Sequence, residues 1–197
     1  NNTPLFTSFS FDLTLTSIFT PLLRGASIVV FAQNGNILDT LKSIFTGQNE
    51  IKSLKCTPSH IQALSEWEMD GTASIETVIL GGEALKQHHV QKLRSLNPDI
   101  KIYNEYGPTE TTVGATISEV NANDTEINIG TPLGNCDVIL LDQYQRPVAK
   151  GLIGEICIGG KGVSKGYVGQ DALTQEKFIN HPLRDGEKMY RSGDFGR

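Results

Sequence analysis

The 197 residues carry 22 Asp and Glu against 17 Lys and Arg, a formal net charge of −5, with 38% hydrophobic and 20% charged side chains. That is apolar material for one large core or two small ones, and an acidic balance with no long Lys/Arg cluster excludes a broad electrostatic footprint for nucleic acid. Cys56, Cys136 and Cys157 are scattered without C-x-x-C spacing, and no apolar run approaches the ~18 residues of a bilayer span, so a reduced, cytoplasmic protein without a membrane segment or a thiolate metal site is expected.

In chain order, Asn1-Asn2-Thr3-Pro4 lacks the basic start and apolar core of a signal peptide. Phe6 to Phe11 alternates aromatic and polar residues, the period of a strand, and Asp12 to Leu23 follows with helical spacing. Ser27 to Phe31 reads as a buried strand, Ile37 to Phe45 as a helix, and Ser53 to Cys56 as a short strand ended by Thr57-Pro58-Ser59. His60 to Glu68 continues as helix from a Pro that is tolerated at a helix start. Glu76 to Leu80 is a strand stopped by Gly81-Gly82, Gln87 to Ser95 a helix, and Ile100 to Asn104 a strand. Beyond Asn121 the pattern changes to short strands, Val138 to Asp142 and Gly154 to Gly159, separated by Gly, Pro and Asp turns. Gly196-Arg197 ends without a terminating element, so both ends read as cuts. The fold class expected is α/β, a layered parallel-type sheet over residues 1–124 followed by a small β-rich, barrel-like part over 125–197. In such parallel sheets ligands bind beyond the carboxyl ends of the strands.

The densest chemistry sits at such a strand end, Asn104-Glu105-Tyr106-Gly107-Pro108-Thr109-Glu110-Thr111-Thr112. Gly-Pro makes a tight turn, Thr109 can donate to a phosphate, Glu110 can hold a hard cation, and Tyr106 offers a flat face to a base. A polar loop with an aromatic plug is the plainer reading of that segment alone. Other segments decide for the first reading: Phe11-Asp12-Leu13-Thr14, Gly81-Gly82-Glu83-Ala84-Leu85, Gly154 to Tyr167, and Tyr190-Arg191-Ser192-Gly193-Asp194-Phe195. Together, and in this order, they resemble the signatures of the adenylate-forming enzymes, specifically the adenylation domains of nonribosomal peptide synthetases, over essentially the whole chain. Gly159 to Gly166 is glycine-rich but lacks G-K-[ST] and reads as strand and turn rather than a phosphate loop.

The resemblance implies ATP and Mg2+ as cofactors, with Asn104 on the adenine amino group, Tyr106 on the ring, Gly107 in the turn and Thr109 on the α-phosphate. It places Glu110 on the metal and Asp194 on the ribose hydroxyls, and makes Thr109 and Glu110 the catalytic pair. The family's phosphate loop would precede Asn1 and its lid with the catalytic lysine would follow Arg197, so this piece alone is expected to be weak or inactive.

The resemblance also implies an amino-acid pocket of Asp12, Leu13, Thr16, Lys55, Ile79, Gly81, Glu105, Val113 and Gly114, with Asp12 holding the α-ammonium group. Lys55 and Glu105 stand out, because buried charges are costly unless paired with each other or with a ligand. A carboxamide needs one donor and one acceptor, which suits L-asparagine; aspartate would meet the charge of Glu105, and glutamine differs by one methylene. A purely structural Lys55–Glu105 ion pair is the alternative. The implied reaction joins the amino-acid carboxylate to the α-phosphate of ATP. The aminoacyl group then passes to the phosphopantetheine thiol of a peptidyl carrier protein, with condensation domains as further partners. The rivals are an acyl-CoA or aryl-acid ligase, which has no use for Asp12, and a non-catalytic binding module.

His88-His89 and His181-Pro182 suggest metal or acyl-transfer chemistry. The first pair diverges by ~100° on a helix and the second sits in what reads as an exposed loop, so neither is taken as a site. Trp67 reads as a packing residue at a helix end.

Overall fold

A computed structural model describes residues 2–32, 35–47, 50–69 and 72–197; Asn1, where the leader reading begins, lies outside them. The chain divides into two compact units, Asn1–Tyr106 with Ile117–Gly130, and Gly107–Thr116 with Thr131–Arg197. Among the described residues no helix is long and apolar enough to cross a membrane.

The first unit opens with β1 (Thr3–Leu5), paired in parallel with β2 (Ile28–Val30). Between them runs α1 (Leu13–Leu23). The alternation from Phe6 to Phe11 forms no strand: Ser8 O accepts from Phe11 N (3.2 Å) and from Thr14 Oγ1 (2.7 Å), bending the chain into the helix and leaving Phe9 and Phe11 exposed. Those turn bonds satisfy backbone groups that a strand would have needed a neighbour to satisfy. β2 is also less buried than its apolar run suggests, with Val30 on the surface.

α2 (Ile37–Phe45) is capped by Asn36, whose Oδ1 accepts from Leu38 N at 3.0 Å, and it buries Leu41, Ile44 and Phe45. β3 (Ser53–Cys56), β4 (Thr77–Gly81) and β5 (Lys101–Tyr106) are parallel, in the neighbour order β3-β4-β5-β6, where β6 is Thr116–Val120. The register sets Lys55 beside Ile79 and Gly81 beside Glu105. α3 (Pro58–Gln62) and α4 (Gln87–Leu96) make the crossovers; α3 stops six residues short of the expected Glu68, and the chain passes through turns to Trp67, which packs edge-on to Phe45. Leu54, Leu80, Leu93 and Ile102 close this core, each such side chain contributing about 1.5–3 kcal/mol by leaving water.

The second unit holds a 3-10 turn at Thr109–Thr111 and a short β7 (Thr131–Pro132), followed by β8 (Cys136–Leu141) and β9 (Gly154–Gly160). α5 (Asp171–Lys177), β10 (Phe178–Asn180) and β11 (Lys188–Gly196) complete it. The strands β10-β11-β9-β8 pair antiparallel in that order, around Leu141, Cys157, Ile179 and Met189. β10 and β8 are the edges, so among the described residues the expected barrel-like closure is not formed. α5 was not legible in the periodicity and buries none of its residues.

Candidate functional site

In the first unit the parallel strands deliver Lys55 from β3, Ile79 and Gly81 from β4, and Asn104, Glu105 and Tyr106 from β5. Lys55 Nζ donates to Glu105 Oε2 in an ion pair whose side chains are only 3% and 10% exposed. Gly81 lies between the two partners. A Cβ there would stand 3.0 Å from Glu105 O and 3.1 Å from Lys55 Nζ, so the missing side chain is what leaves room for the pair. Thr16, Lys55 and Ile79 share a cavity of about 550 Å³ with Ser17 and Thr20 of α1 and with Arg24 at its end. Asp12 precedes the first residue of that helix, and Leu13 begins it.

Ser17 was not singled out in the sequence. It is 1% exposed, and its Oγ has no hydrogen-bond partner among the described residues. Thr16 and Thr20, four apart in α1, with Arg24 one further step of four at its C-cap, line the same cavity. Asn104 is buried and its Nδ2 donates to Asn128 O at 2.9 Å, an arrangement that aims the amide's oxygen elsewhere as an acceptor. Glu83 of the Gly-Gly-Glu loop accepts from Ser59 N (2.9 Å) and Ser59 Oγ (2.5 Å), tying that loop to the start of α3. Burial raises its carboxyl, but the two Ser59 bonds, with a hydrogen bond from Thr57 and the nearby His60, together hold it below the ordinary glutamate range.

In the second unit the loop from Gly107 turns back on itself. A Cβ on Gly107 would meet Val113 O at 2.5 Å and Ala115 N at 2.7 Å. Thr112 and Val113 both lie in the left-handed region, φ 64° and 69°, which β-branched residues rarely adopt. Thr112 Oγ1 donates to Gly162 O at 2.7 Å and helps hold the turn, with Gly114 following it. Thr109 is exposed, and Ser164 N donates to Glu110 O at 2.8 Å. The Glu110 carboxylate takes a hydrogen bond from Tyr167 Oη at 2.6 Å, and the Tyr190 hydroxyl is 3.2 Å from that of Tyr167. Burial opposes ionisation of Glu110, but the hydrogen bonds, Tyr167's foremost, bring it below the usual carboxylate range. Asp194 lies at an irregularity of β11, where the register shifts between Arg191 and Phe195. Glu155 of β9 sets that shape: it takes Arg191 Nε at 2.9 Å and Gly193 N at 3.2 Å, while Ser192 Oγ takes Asp194 N at 3.0 Å. Glu110 and Asp194 share a neighbour, since burial first and then both carboxylates raise the pKa of Tyr190. Glu155 was a charged residue inside an apolar strand, and that anomaly was its signal.

The histidines rejected as sites have structural duties. His89 is buried and its Nδ1 accepts from Lys86 N at 3.1 Å, although the His88 and His89 rings approach to 4.0 Å, closer than helical divergence suggests. The loop from Pro182 to Gly186 is exposed as expected, but His181 at its start is buried, its Nδ1 accepting from Leu183 N at 3.1 Å. Among the described residues no three His, Cys, Asp or Glu gather as a metal cage. One carboxylate beside hydroxyls does suit Mg2+, which takes one or two protein carboxylates and fills its shell with phosphate oxygens and water.

Among proteins of known sequence, the chain is 41% identical to tyrocidine synthase 3 of Brevibacillus parabrevis, over 96% of this chain and 3% of that one. It is 39% identical to bacitracin synthase 3 of Bacillus licheniformis, over 98% and 3%. It thus spans less than a tenth of the length of either. Among solved structures it is similar to PA1221, a nonribosomal peptide synthetase protein containing adenylation and PCP domains. That likeness has a TM-score of 0.89 at 27% identity, covering 100% of this chain and 35% of that one. AB3403, a four-domain nonribosomal peptide synthetase bound to AMP and glycine, matches with a TM-score of 0.85 at 30% identity, over 99% and 15%. The model of the AMP-binding enzyme family matches residues 2–168, and with motifs, fold and relatives in agreement the chain belongs to the AMP-binding enzyme family.

Proposed function

We propose that the chain is the central part of an amino-acid-activating adenylation domain of a nonribosomal peptide synthetase, and that the complete protein activates L-asparagine. The observation that carries the substrate is the buried Lys55–Glu105 pair at the ends of β3 and β5, flanked by Gly81. An ammonium has three donors and a carboxylate several acceptor positions, so each partner keeps capacity after meeting the other. Lys55 would donate to the amide oxygen and Glu105 accept from the amide nitrogen, while Asp12 would hold the α-ammonium. Leu13, Thr16, Ile79, Val113 and Gly114 would complete the walls.

The substrate carboxylate is already the nucleophile, so no general base is needed. The task of the residues is to orient it and to neutralise charge as pyrophosphate leaves the α-phosphate. Thr109 would donate to that phosphate, Asn104 Oδ1 would accept from the adenine amino group, Tyr106 would stack on the ring, and Asp194 would accept from the ribose hydroxyls. Mg2+, held by Glu110 and phosphate oxygens, would supply positive charge to the leaving group. The product would be loaded onto the phosphopantetheine thiol of a carrier protein, with condensation domains downstream. The division into an α/β part through residue 124 and a β-rich part from 125 is kept as the working organisation.

Amino-acid-dependent ATP–pyrophosphate exchange by the complete protein tests the assignment. Asparagine is expected to exceed aspartate in kcat/KM, and a ratio at or below one would refute it. Glu105→Gln removes the like charge facing a second carboxylate, so the ratio is expected to fall by roughly tenfold or more, while Lys55→Ala impairs both substrates by stranding Glu105. A second reading, a purely structural ion pair, is favoured by the two groups satisfying each other directly. It requires Glu105→Gln to lower the melting temperature and leave the ratio unchanged.

A further inference from the structure

Fifty-seven residues separate Glu110 from Tyr167, yet their side chains meet within the second unit. Tyr167 is itself held on three sides. Its backbone N donates to Thr174 Oγ1 at 2.9 Å, and its ring stands edge-on to Phe178 at 5.6 Å between centroids. Phe178 in turn lies 5.2 Å from the Tyr190 ring. Gly166 adjoins Tyr167 at φ +129°, and a Cβ there would come within 2.3 Å of Thr174 Cγ2, so the glycine lets the chain pass close to the helix that anchors the tyrosine. The main chain is tied as well, through Ser164 N to Glu110 O. A hydroxyl has one proton. That of Tyr167 is committed to Glu110 Oε1, and the Tyr190 hydroxyl lies 3.2 Å from the Tyr167 oxygen in the same cluster of hydrogen-bonding groups.

We infer that Tyr167, backed by Tyr190, is a positioning residue for the metal-binding carboxylate: it fixes one oxygen of Glu110 and turns the other toward Mg2+ and the nucleotide phosphates. The inference rests on the assignment of Glu110 to the metal. A flexible glutamate would lose rotamer freedom each time metal and nucleotide bind; one already held by a phenol has lost it on folding. The choice of tyrosine also follows. A phenol donates to the carboxylate without adding a cation that would compete with the metal.

The test uses Mn2+ as the probe ion, its binding to the complete protein with ATP followed by electron paramagnetic resonance, beside melting temperature and the Mg2+ dependence of pyrophosphate exchange. Tyr167→Phe keeps the ring and its packing on Phe178, and is expected to weaken Mn2+ binding roughly tenfold, the usual cost of losing an outer-shell partner, with the melting temperature little changed. Tyr190→Phe should weaken it less. Glu110→Gln separates the two levels of the argument. If Glu110→Gln leaves Mn2+ affinity intact, the metal assignment fails and this inference with it. If Glu110→Gln weakens binding but Tyr167→Phe does not, the metal assignment stands and the positioning role is overturned. In the Glu110→Gln background Tyr167→Phe should have no further effect on affinity; full additivity would likewise overturn the inference.

Discussion

At Gly107 a single hydrogen stands where any other residue would put carbon 2.5 Å from a backbone oxygen and 2.7 Å from a backbone nitrogen. Backbone cannot swing aside as a side-chain end can, so Gly107→Ala is expected to cost about 2 kcal/mol or more, read as a fall in the denaturant midpoint. Gly81 is a milder case of the same geometry. Its added Cβ would meet Glu105 O and the far end of the Lys55 side chain. There Gly81→Ala should displace Lys55 and lower kcat/KM for the amino acid more than it lowers stability. Ser17 points the other way: removing a buried hydroxyl without a partner relieves its desolvation, so Ser17→Ala is expected to raise the melting temperature, by about 1 kcal/mol of stability. A decrease would mean that the hydroxyl is satisfied within the cavity.

The crossover helices begin alike, and histidine does the same work in both. His60 Nδ1 accepts from Thr57 N at 3.1 Å at the start of α3, as His89 Nδ1 accepts from Lys86 N at the start of α4. An imidazolium cannot accept at that nitrogen. Burial lowers the pKa of both rings from the ordinary 6.5, with His88 and Lys86 adding to the effect at His89 and Glu83 opposing it at His60. The unfolded chain therefore binds more protons than the folded one between the lowered values and 6.5. Stability is fully present above pH 6.5, is lost as pH falls below it, and levels off beneath the folded values. Melting temperatures between about pH 7.5 and 5.5 should show this decline, and His60→Gln with His89→Gln should flatten it; an unchanged slope would assign the acid sensitivity elsewhere. Among the helices, α2 and α4 were legible because apolar residues recur in them at helical spacing. The segment from Phe6 to Phe11 misled because alternation reports a strand only when a neighbour takes its backbone bonds, and here Ser8 and Thr14 take them locally. The motif residues of the candidate site could be read in order along the chain. Their pairings, Tyr167 with Glu110 and Glu155 with Arg191, could not, because contacts across 57 and 36 residues depend on pairing that no local period encodes.

At the scale of the whole molecule, α1 presents a problem of solvation. Its buried positions are Thr14, Ser17 and Pro21, whereas Leu15, Phe19, Leu22 and Leu23 face solvent, Leu23 at 85% exposure. Leu15, Phe19 and Leu22 recur at helical spacing and so form one stripe, and exposed Phe9 and Phe11 lie just before the helix. An apolar stripe turned outward over a polar inner face is the reverse of what a surface helix needs, and contiguous apolar surface of this kind drives association. The 197 residues produced alone are therefore expected to self-associate in sedimentation and to bind a hydrophobic dye strongly. Replacing Phe19 and Leu23 by Lys and Glu should suppress both effects, because neither side chain contributes to the buried core. In the complete protein the same pair of substitutions is expected to lower stability if other parts of the chain cover the stripe there. A monomeric, dye-silent 197-residue chain would show instead that α1 tolerates its exposed face unaided. Pyrophosphate exchange by that chain alone, expected to be weak or absent, would then show how much of the activity resides in these residues.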